Sequence, residues 1–255
     1  MREDEKFTLA ITESGNLVVP LAYLKNMFGQ ELQYLIDTHK FYAIGIMSSE
    51  ETYNSSIHAV TFGFQYAQNK SFTEKVEKAQ WYTSKKFLEE SIGLLHHYME
   101  RLYSTIYAIK NRISHQDEQH FISVLEQAKI KFGKKDFPTK IKEFKIHHSN
   151  TIDFEDHVTS LNKARNCFVH RLGVVSNLDT NNNNNLTVKW RAFRIDEKKF
   201  IDIERNYEIG TTIILDYQEC MDTTYTLISY FEVLFNTCIT NIGLNKDDPF
   251  YEFLS

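Results

Sequence analysis

The stretch LEESIGLLHHYMERLYSTIYAI, residues 88–109, decides the fold. Leu88, Ile92, Leu95, Met99, Leu102, Ile106 and Ile109 follow one another in alternating steps of four and three. At 3.6 residues per turn that spacing gathers them on one side of a long helix. A seam of this kind packs either inside a helical bundle or against a second copy as a dimer seam. Working outward in the C-terminal direction, Phe121, Val124, Leu125, Ala128 and Phe132 predict a shorter helix that Gly133 ends.

A third helix starts near Asn150 or Thr151, either of which can cap it. Its apolar stripe reads Phe154, Val158, Leu161, Phe168 and Leu172, and Gly173 is placed as the C-terminal stop. The run Asn181 to Asn185 reads as a flexible polar loop. Two β-rich runs follow, Leu186 to Ile195 and Thr211 to Leu215. Asp216 and Glu219, spaced as a capping box, open a last helix with Cys220, Thr224, Ile228, Phe231, Phe235 and Cys238 on one face. In the other direction, Phe7 to Val19 reads as a small hairpin turning at Gly15 and Asn16. Pro20 then opens a helix through His39 with Leu24, Phe28, Leu32, Leu35 and Ile36 inward, and another helix runs from about Glu51 to Gln68. The expected organisation is mainly α. A helical domain spans residues 81–255, with a β-rich insertion at about 186–215 between the third helix and the last, and an α+β extension of unassigned role occupies residues 1–80.

Composition agrees. The chain has 255 residues, 42% hydrophobic and 25% charged, with nine glycines and three prolines. Those are about half and a quarter of average usage, too little punctuation for many short strands, and they exclude disorder and collagen. No two glycines fall at G-x-G-x-x-G or G-x-x-x-x-G-K-[ST], so neither phosphate-cradling loop is present and no cofactor is expected. Cys167, Cys220 and Cys238 make no C-x-x-C pair, and His96-His97 and His147-His148 are adjacent rather than four apart, so no metal site is expected. The start, Met1-Arg-Glu-Asp-Glu-Lys, is no signal peptide, and no run approaches the ~18 apolar residues of a membrane span. The expectation is a cytoplasmic protein without a membrane partner.

The net charge of -5 argues against coating nucleic acid through bulk positive charge. Lysines nevertheless crowd one segment: Lys129, Lys131, Lys134, Lys135, Lys140, Lys142 and Lys145, opposed within it by Asp136 and Glu143. The segment is either a solvated face or a phosphate-binding rim. In the first β-rich run, Trp190, Arg191, Phe193 and Arg194 either stack on RNA bases or simply alternate between the two faces of a strand.

One residue breaks the third helix's stripe. Arg165 stands where the spacing calls for an apolar side chain, and burying a guanidinium without a partner is costly. Either an internal salt bridge compensates it, or this edge of the helix lines a cleft where the charge meets a phosphate. Asn166 and His170 lie four apart, on adjacent turns of one face, and Arg165 is about 100° round from Asn166. The three side chains form one polar edge in the helix's last turns. Histidine is the side chain whose ordinary titration falls near neutrality, so beside a fixed cation it suits phosphodiester cleavage.

At Arg165-Asn166-Cys167-Phe168-Val169-His170, followed by Arg171-Leu172-Gly173, the sequence resembles the HEPN superfamily. Its ribonuclease members carry R-x4-6-H near a helix end, often with a polar residue after the arginine. The resemblance spans about residues 84–240 and implies an antiparallel HEPN-like helical bundle. It also implies a metal-independent endoribonuclease acting as a homodimer, with two motifs facing across a shared cleft. In that reading His170 transfers protons, Arg165 stabilises the charged phosphorane, and Asn166 orients His170 or contacts the phosphate. RNA contact would fall to Lys134, Lys135, Lys140, Lys142, Arg171, Arg191 and Arg194. Family enzymes of this kind serve as toxins or abortive-infection effectors in phage defence, which implies an antitoxin or regulatory partner protein. The alternative is a non-catalytic helical interaction protein using the same edge for a salt bridge and partner binding.

Overall fold

The computed structural model describes residues 10–11, 17–18, 21–46, 71–110, 118–147, 152–180, 184–194 and 196–242. In chain order the elements are β1 (Ala10–Ile11), β2 (Leu17–Val18), α1 (Leu21–Ile46), α2 (Phe72–Lys110), α3 (Glu118–Gly133), α4 (Phe137–His147), α5 (Glu155–Arg171), β3 (Asn185–Arg194), β4 (Lys199–Glu208) and α6 (Tyr217–Asn241). The protein is mainly α among the described residues, as expected. No helix there is long and apolar enough to cross a membrane. The expected N-terminal hairpin is present, pairing Ala10 with Val18 and Ile11 with Leu17. Its turn at Gly15 and Asn16, Pro20 and the helix expected at 51–68 lie outside the described residues.

Two compact units form, one from residues 1–31, 93–155 and 227–255, the other from 32–92 and 156–226. Helix α2, which begins at Phe72, runs through the position of the boundary expected at 80/81. A reciprocal capping box fixes that start, with the Ser71 N–H donating to Glu74 at 2.8 Å and the Glu74 N–H to Ser71 Oγ at 3.2 Å. α6 begins the same way, through Asp216 and Glu219, as their spacing predicted.

In the first unit Leu95, Met99, Leu102 and Ile106 of α2 are buried with Leu24 and Phe28 of α1, Leu125 and Phe132 of α3, and Phe231, Leu234 and Phe235 of α6. Phe28 meets Phe231 at 4.5 Å between centroids, and Tyr103 stacks on Phe132 at 4.2 Å. In the second unit Leu88 and Ile92 are likewise fully buried. The seam is therefore core, leaving these side chains nothing to offer a second chain. Ile109 alone has a side chain outside the described set.

α4 was not foreseen. Asp136 caps it, accepting from the Thr139 N–H at 2.9 Å, and Phe137, Ile141 and Phe144 are buried along it. Its formation redistributes the lysine segment. Lys140 is 2% exposed and donates to Glu100 at 2.7 Å, Lys135 pairs with Glu143, and Lys145 reaches Glu155 at 2.6 Å. Lys131, Lys134 and Lys142 stay exposed.

The second unit carries the β-hairpin. β3 and β4 pair antiparallel over their full length, from Asn185 with Glu208 to Arg194 with Lys199. β3 alternates strictly, with Leu186, Val188, Trp190 and Ala192 buried. The β-rich run expected at Thr211–Leu215 is corrected. β4 lies earlier, at Lys199–Glu208, and the later run is an extended tether in which Thr212 bridges Val174 and Ile213 N–H donates to the Gly173 carbonyl at 2.9 Å. β4 is mostly exposed, so solvent, not a core, sets most of its composition. The outer backbone edge of β3 is satisfied by helices: Lys189 N–H donates to Ser160 Oγ at 2.9 Å and Arg191 N–H to Thr226 Oγ1 at 2.8 Å.

Burial pushes the imidazoles of His39, His97 and His157 below the ordinary 6.5, reinforced at His97 by Arg101 and Lys129 and opposed at His157 by Asp202. The unfolded chain therefore binds more protons than the folded one just below the ordinary histidine value. Stability is full above about pH 6.5 and falls as pH drops through it. The thermal midpoint should decrease from about pH 7 to about pH 5.5, before carboxylates titrate. A midpoint that stays level or rises across that window contradicts the burial of these rings.

Candidate functional site

α5 carries the motif in the second unit. Val158, Leu161, Ala164, Cys167 and Phe168 are buried along it. The expected stripe is corrected at both ends. The helix begins at Glu155, because Phe154 takes a positive φ of 65° and cannot belong to it; Asn150 and Thr151 lie outside the described residues. At the other end Leu172, expected to pack, is 64% exposed with φ of 55°. Ala164 and Cys167, not Arg165, occupy the centre of the buried face, and Arg165 sits half-buried at its edge.

The polar edge is assembled there. Arg165 Nη1 donates to Asn166 Oδ1 at 3.2 Å, which fixes the guanidinium and the amide against each other. Arg165 Nε is buried and has no hydrogen-bond partner among the described residues. The internal salt bridge that would have accounted for this arginine is not found there. One turn on, His170 is exposed and likewise has no hydrogen-bond partner among the described residues. A rigid cation, an amide and an accessible imidazole thus share one helix end.

The helix stop is built by packing. Gly173, at φ of 81°, turns the chain and donates its N–H to the Cys167 carbonyl at 2.9 Å. Trp81 of α2 donates Nε1–H to the Leu172 carbonyl at 3.0 Å, and its ring lies 6.4 Å from that of Phe168. A Cβ on Gly173 would stand 2.7 Å from Phe168 Cε1 and 3.2 Å from Trp81 Nε1. Gly173→Ala should therefore cost about 2–4 kcal/mol, combining left-handed strain with overpacking against a buried ring. Urea unfolding measures it, and a loss below about 0.5 kcal/mol, the size of an ordinary surface substitution, would refute this account of the helix end.

The remaining candidates separate by environment. Arg171 is not offered to a ligand: it pairs with Asp179, which is 4% exposed. Lys140 and Lys135 are held by Glu100 and Glu143, so all three of these expected RNA contacts sit in internal ion pairs. Lys134, Lys142 and Arg194 are exposed. Trp190 is 1% exposed and donates to Thr223 Oγ1 at 2.9 Å, so strand alternation, not base stacking, accounts for it. Arg191 lies 4.5 Å above the ring of Phe200, a residue that sequence reading passed over because β4 shows no apolar periodicity. Cys167 is buried and its thiol is pushed up to about 12, chiefly by burial, which removes it as a nucleophile near neutrality. Among the described residues no three His, Cys, Asp or Glu side chains are grouped to hold a metal ion. No protein-family model, curated protein or solved structure matches the chain.

Proposed function

We propose that this chain is a metal-independent endoribonuclease of HEPN type. The observation that carries the reading is the end of α5, where Arg165 is tied to Asn166 and His170 stands exposed four residues beyond the amide. The chemistry needs a fixed positive charge at the phosphorus and a proton carrier beside it. The ribose 2′-hydroxyl attacks its own 3′-phosphate: a P–O2′ bond forms and the P–O5′ bond breaks. The 2′-hydroxyl proton leaves to a base and the 5′-oxygen takes one up, giving a 2′,3′-cyclic phosphate and a 5′-hydroxyl. His170 handles one of these protons, and Arg165 meets the charge that accumulates on the non-bridging oxygens.

A second copy supplies the second imidazole. Val169, Leu172 and Leu178, at 41%, 64% and 85% exposure, leave apolar surface beside the motif for that copy to cover. In the biological reading the enzyme serves phage defence or a toxin system under a regulatory protein. Incubating the purified chain with RNA and EDTA tests the proposal: fragments ending in 2′,3′-cyclic phosphate support it, and an intact substrate opposes it. Growth arrest on bacterial expression, relieved by His170→Ala, is the parallel result expected in cells. The same exposed apolar residues favour one rival, a non-catalytic interaction protein, for which no RNA is cut and expression is harmless.

A further inference from the structure

The outward side of the β3–β4 hairpin carries a feature that the cleavage proposed at α5 does not use. Burial alternates along β3, so Lys189, Arg191 and Phe193 face away from Val188, Trp190 and Ala192. The register places Phe193 opposite Phe200 and Arg191 opposite Asp202. Phe200 is 42% exposed, with its ring 5.0 Å from Phe193 and 6.0 Å, edge to face, from Tyr225 of α6. The Arg191 guanidinium lies over Phe200 at 4.5 Å. Two strands and a helix therefore present three rings and a planar cation together.

Charge at the hairpin's end favours one class of occupant. Arg194 and Lys198 are exposed and make no hydrogen bond or ion pair among the described residues. Lys199 is held by Glu197; Asp196 is exposed at the tip, Asp202 stands opposite Arg191 and 3.4 Å from His157, and Glu204 stands opposite Lys189, which itself lies 3.9 Å from Asp156. The Arg191 guanidinium lies over Phe200, and Arg194, which Asp222 of α6 feels electrostatically, and Lys198 add exposed positive charge at the hairpin's end. Exposed aromatic faces beside arginines and lysines form the platform on which unpaired bases stack while cations track the backbone. We infer that the Phe193–Phe200–Tyr225 face, with Arg191, Arg194 and Lys198, binds single-stranded nucleic acid.

This rests on the nuclease reading for its biological sense and makes the substrate class single-stranded RNA. His157, beside Asp202 near the platform, and His170 stand at opposite ends of α5, which rises about 20 Å between them. A strand long enough to reach both is held at the platform while it is cut at the motif.

A labelled single-stranded oligothymidylate is the probe, because stacking tolerates any base and the probe lacks the 2′-hydroxyl that cleavage requires. Fluorescence anisotropy should show binding that weakens about five- to a hundredfold in Phe200→Ala, the range of one lost stacking contact. Phe200→Leu keeps apolar volume without an aromatic face and should lose nearly as much. Arg194→Ala with Lys198→Ala should flatten the salt dependence of affinity. The thermal midpoints of all three should stay near wild type, since the replaced side chains are exposed.

Wild-type affinity in Phe200→Leu overturns the platform, as does preference for a duplex of the same length. Absence of oligothymidylate binding by the wild type also overturns it and leaves the face to a protein partner. The two readings fail separately. Binding to this probe without RNA cleavage removes only the nuclease, and cleavage without binding removes only the platform.

Discussion

His170→Ala should abolish measurable RNA cleavage while leaving the thermal midpoint within a few degrees of wild type. Removing a positioned proton carrier costs about 10²–10⁴-fold in rate. The folding cost is small because His170 is exposed and without a hydrogen-bond partner among the described residues, and surface substitutions of that kind stay within about 0.5 kcal/mol. Arg165→Ala should lower the rate by about 10²–10³-fold, the loss expected when one donor aimed at a developing charge is deleted. Arg165→Lys should recover part of it. The charge returns, but a point ammonium cannot reproduce a guanidinium that simultaneously donates to Asn166. Asn166→Ala should sit between, because it frees the guanidinium without removing it. Single-turnover cleavage of one oligoribonucleotide by all four variants reads this order directly. If the edge serves only to hold the fold, the order reverses in kind: Arg165→Ala lowers the unfolding midpoint, His170→Ala changes nothing, and RNA survives every incubation.

What could be read in advance follows from how far apart in sequence the deciding groups lie. The α2 seam repeats one local step of three or four residues, and the Asp216–Glu219 cap and the Gly173 stop are each complete within about a turn or two; each is found where the spacing put it, the Ile109 side chain lying outside the described residues. The polar edge of α5 was legible for the same reason, since Arg165, Asn166 and His170 lie within six residues. α4 was hidden because Phe137, Ile141 and Phe144 are interleaved with three lysines, two of which, Lys140 and Lys145, take their neutralising partners from outside the helix. Lys140 finds Glu100, forty positions away. β4 was misplaced because a strand with one solvated face is defined by its register with β3, a non-local quantity, and not by its own alternation. The aromatic platform was legible only at Arg191, Phe193 and Arg194, because Phe193, Phe200 and Tyr225 belong to three elements and meet only after the hairpin closes and packs on α6.

Arg171 shows the same limit and yields the second large expected effect. Beside His170 and in a motif that invites phosphate, it looked like an RNA ligand, yet its guanidinium is committed to Asp179, with its side chain only 24% exposed. Asp179 is more committed still, because its other oxygen accepts from both the N–H and the hydroxyl of Ser176 at 2.9 Å. Removing the carboxylate strands a cation and two donors together, so Asp179→Ala should cost about 3–4 kcal/mol. Arg171→Ala leaves Asp179 its two Ser176 donors and should cost less, about 2–3 kcal/mol. The double variant should lose less than the sum, by a coupling of about 1–3 kcal/mol. Urea unfolding of the four proteins gives the cycle. The functional consequence separates a positioning pair from a ligand. Asp179 carries the wrong charge to bind RNA, yet Asp179→Ala should slow cleavage, because the pair ties residues 176–179 to the turn of helix that presents His170. If Arg171 met phosphate instead, Arg171→Ala would leave the unfolding midpoint untouched and lower the salt slope of RNA binding by about one phosphate contact, with Asp179→Ala cutting at the wild-type rate.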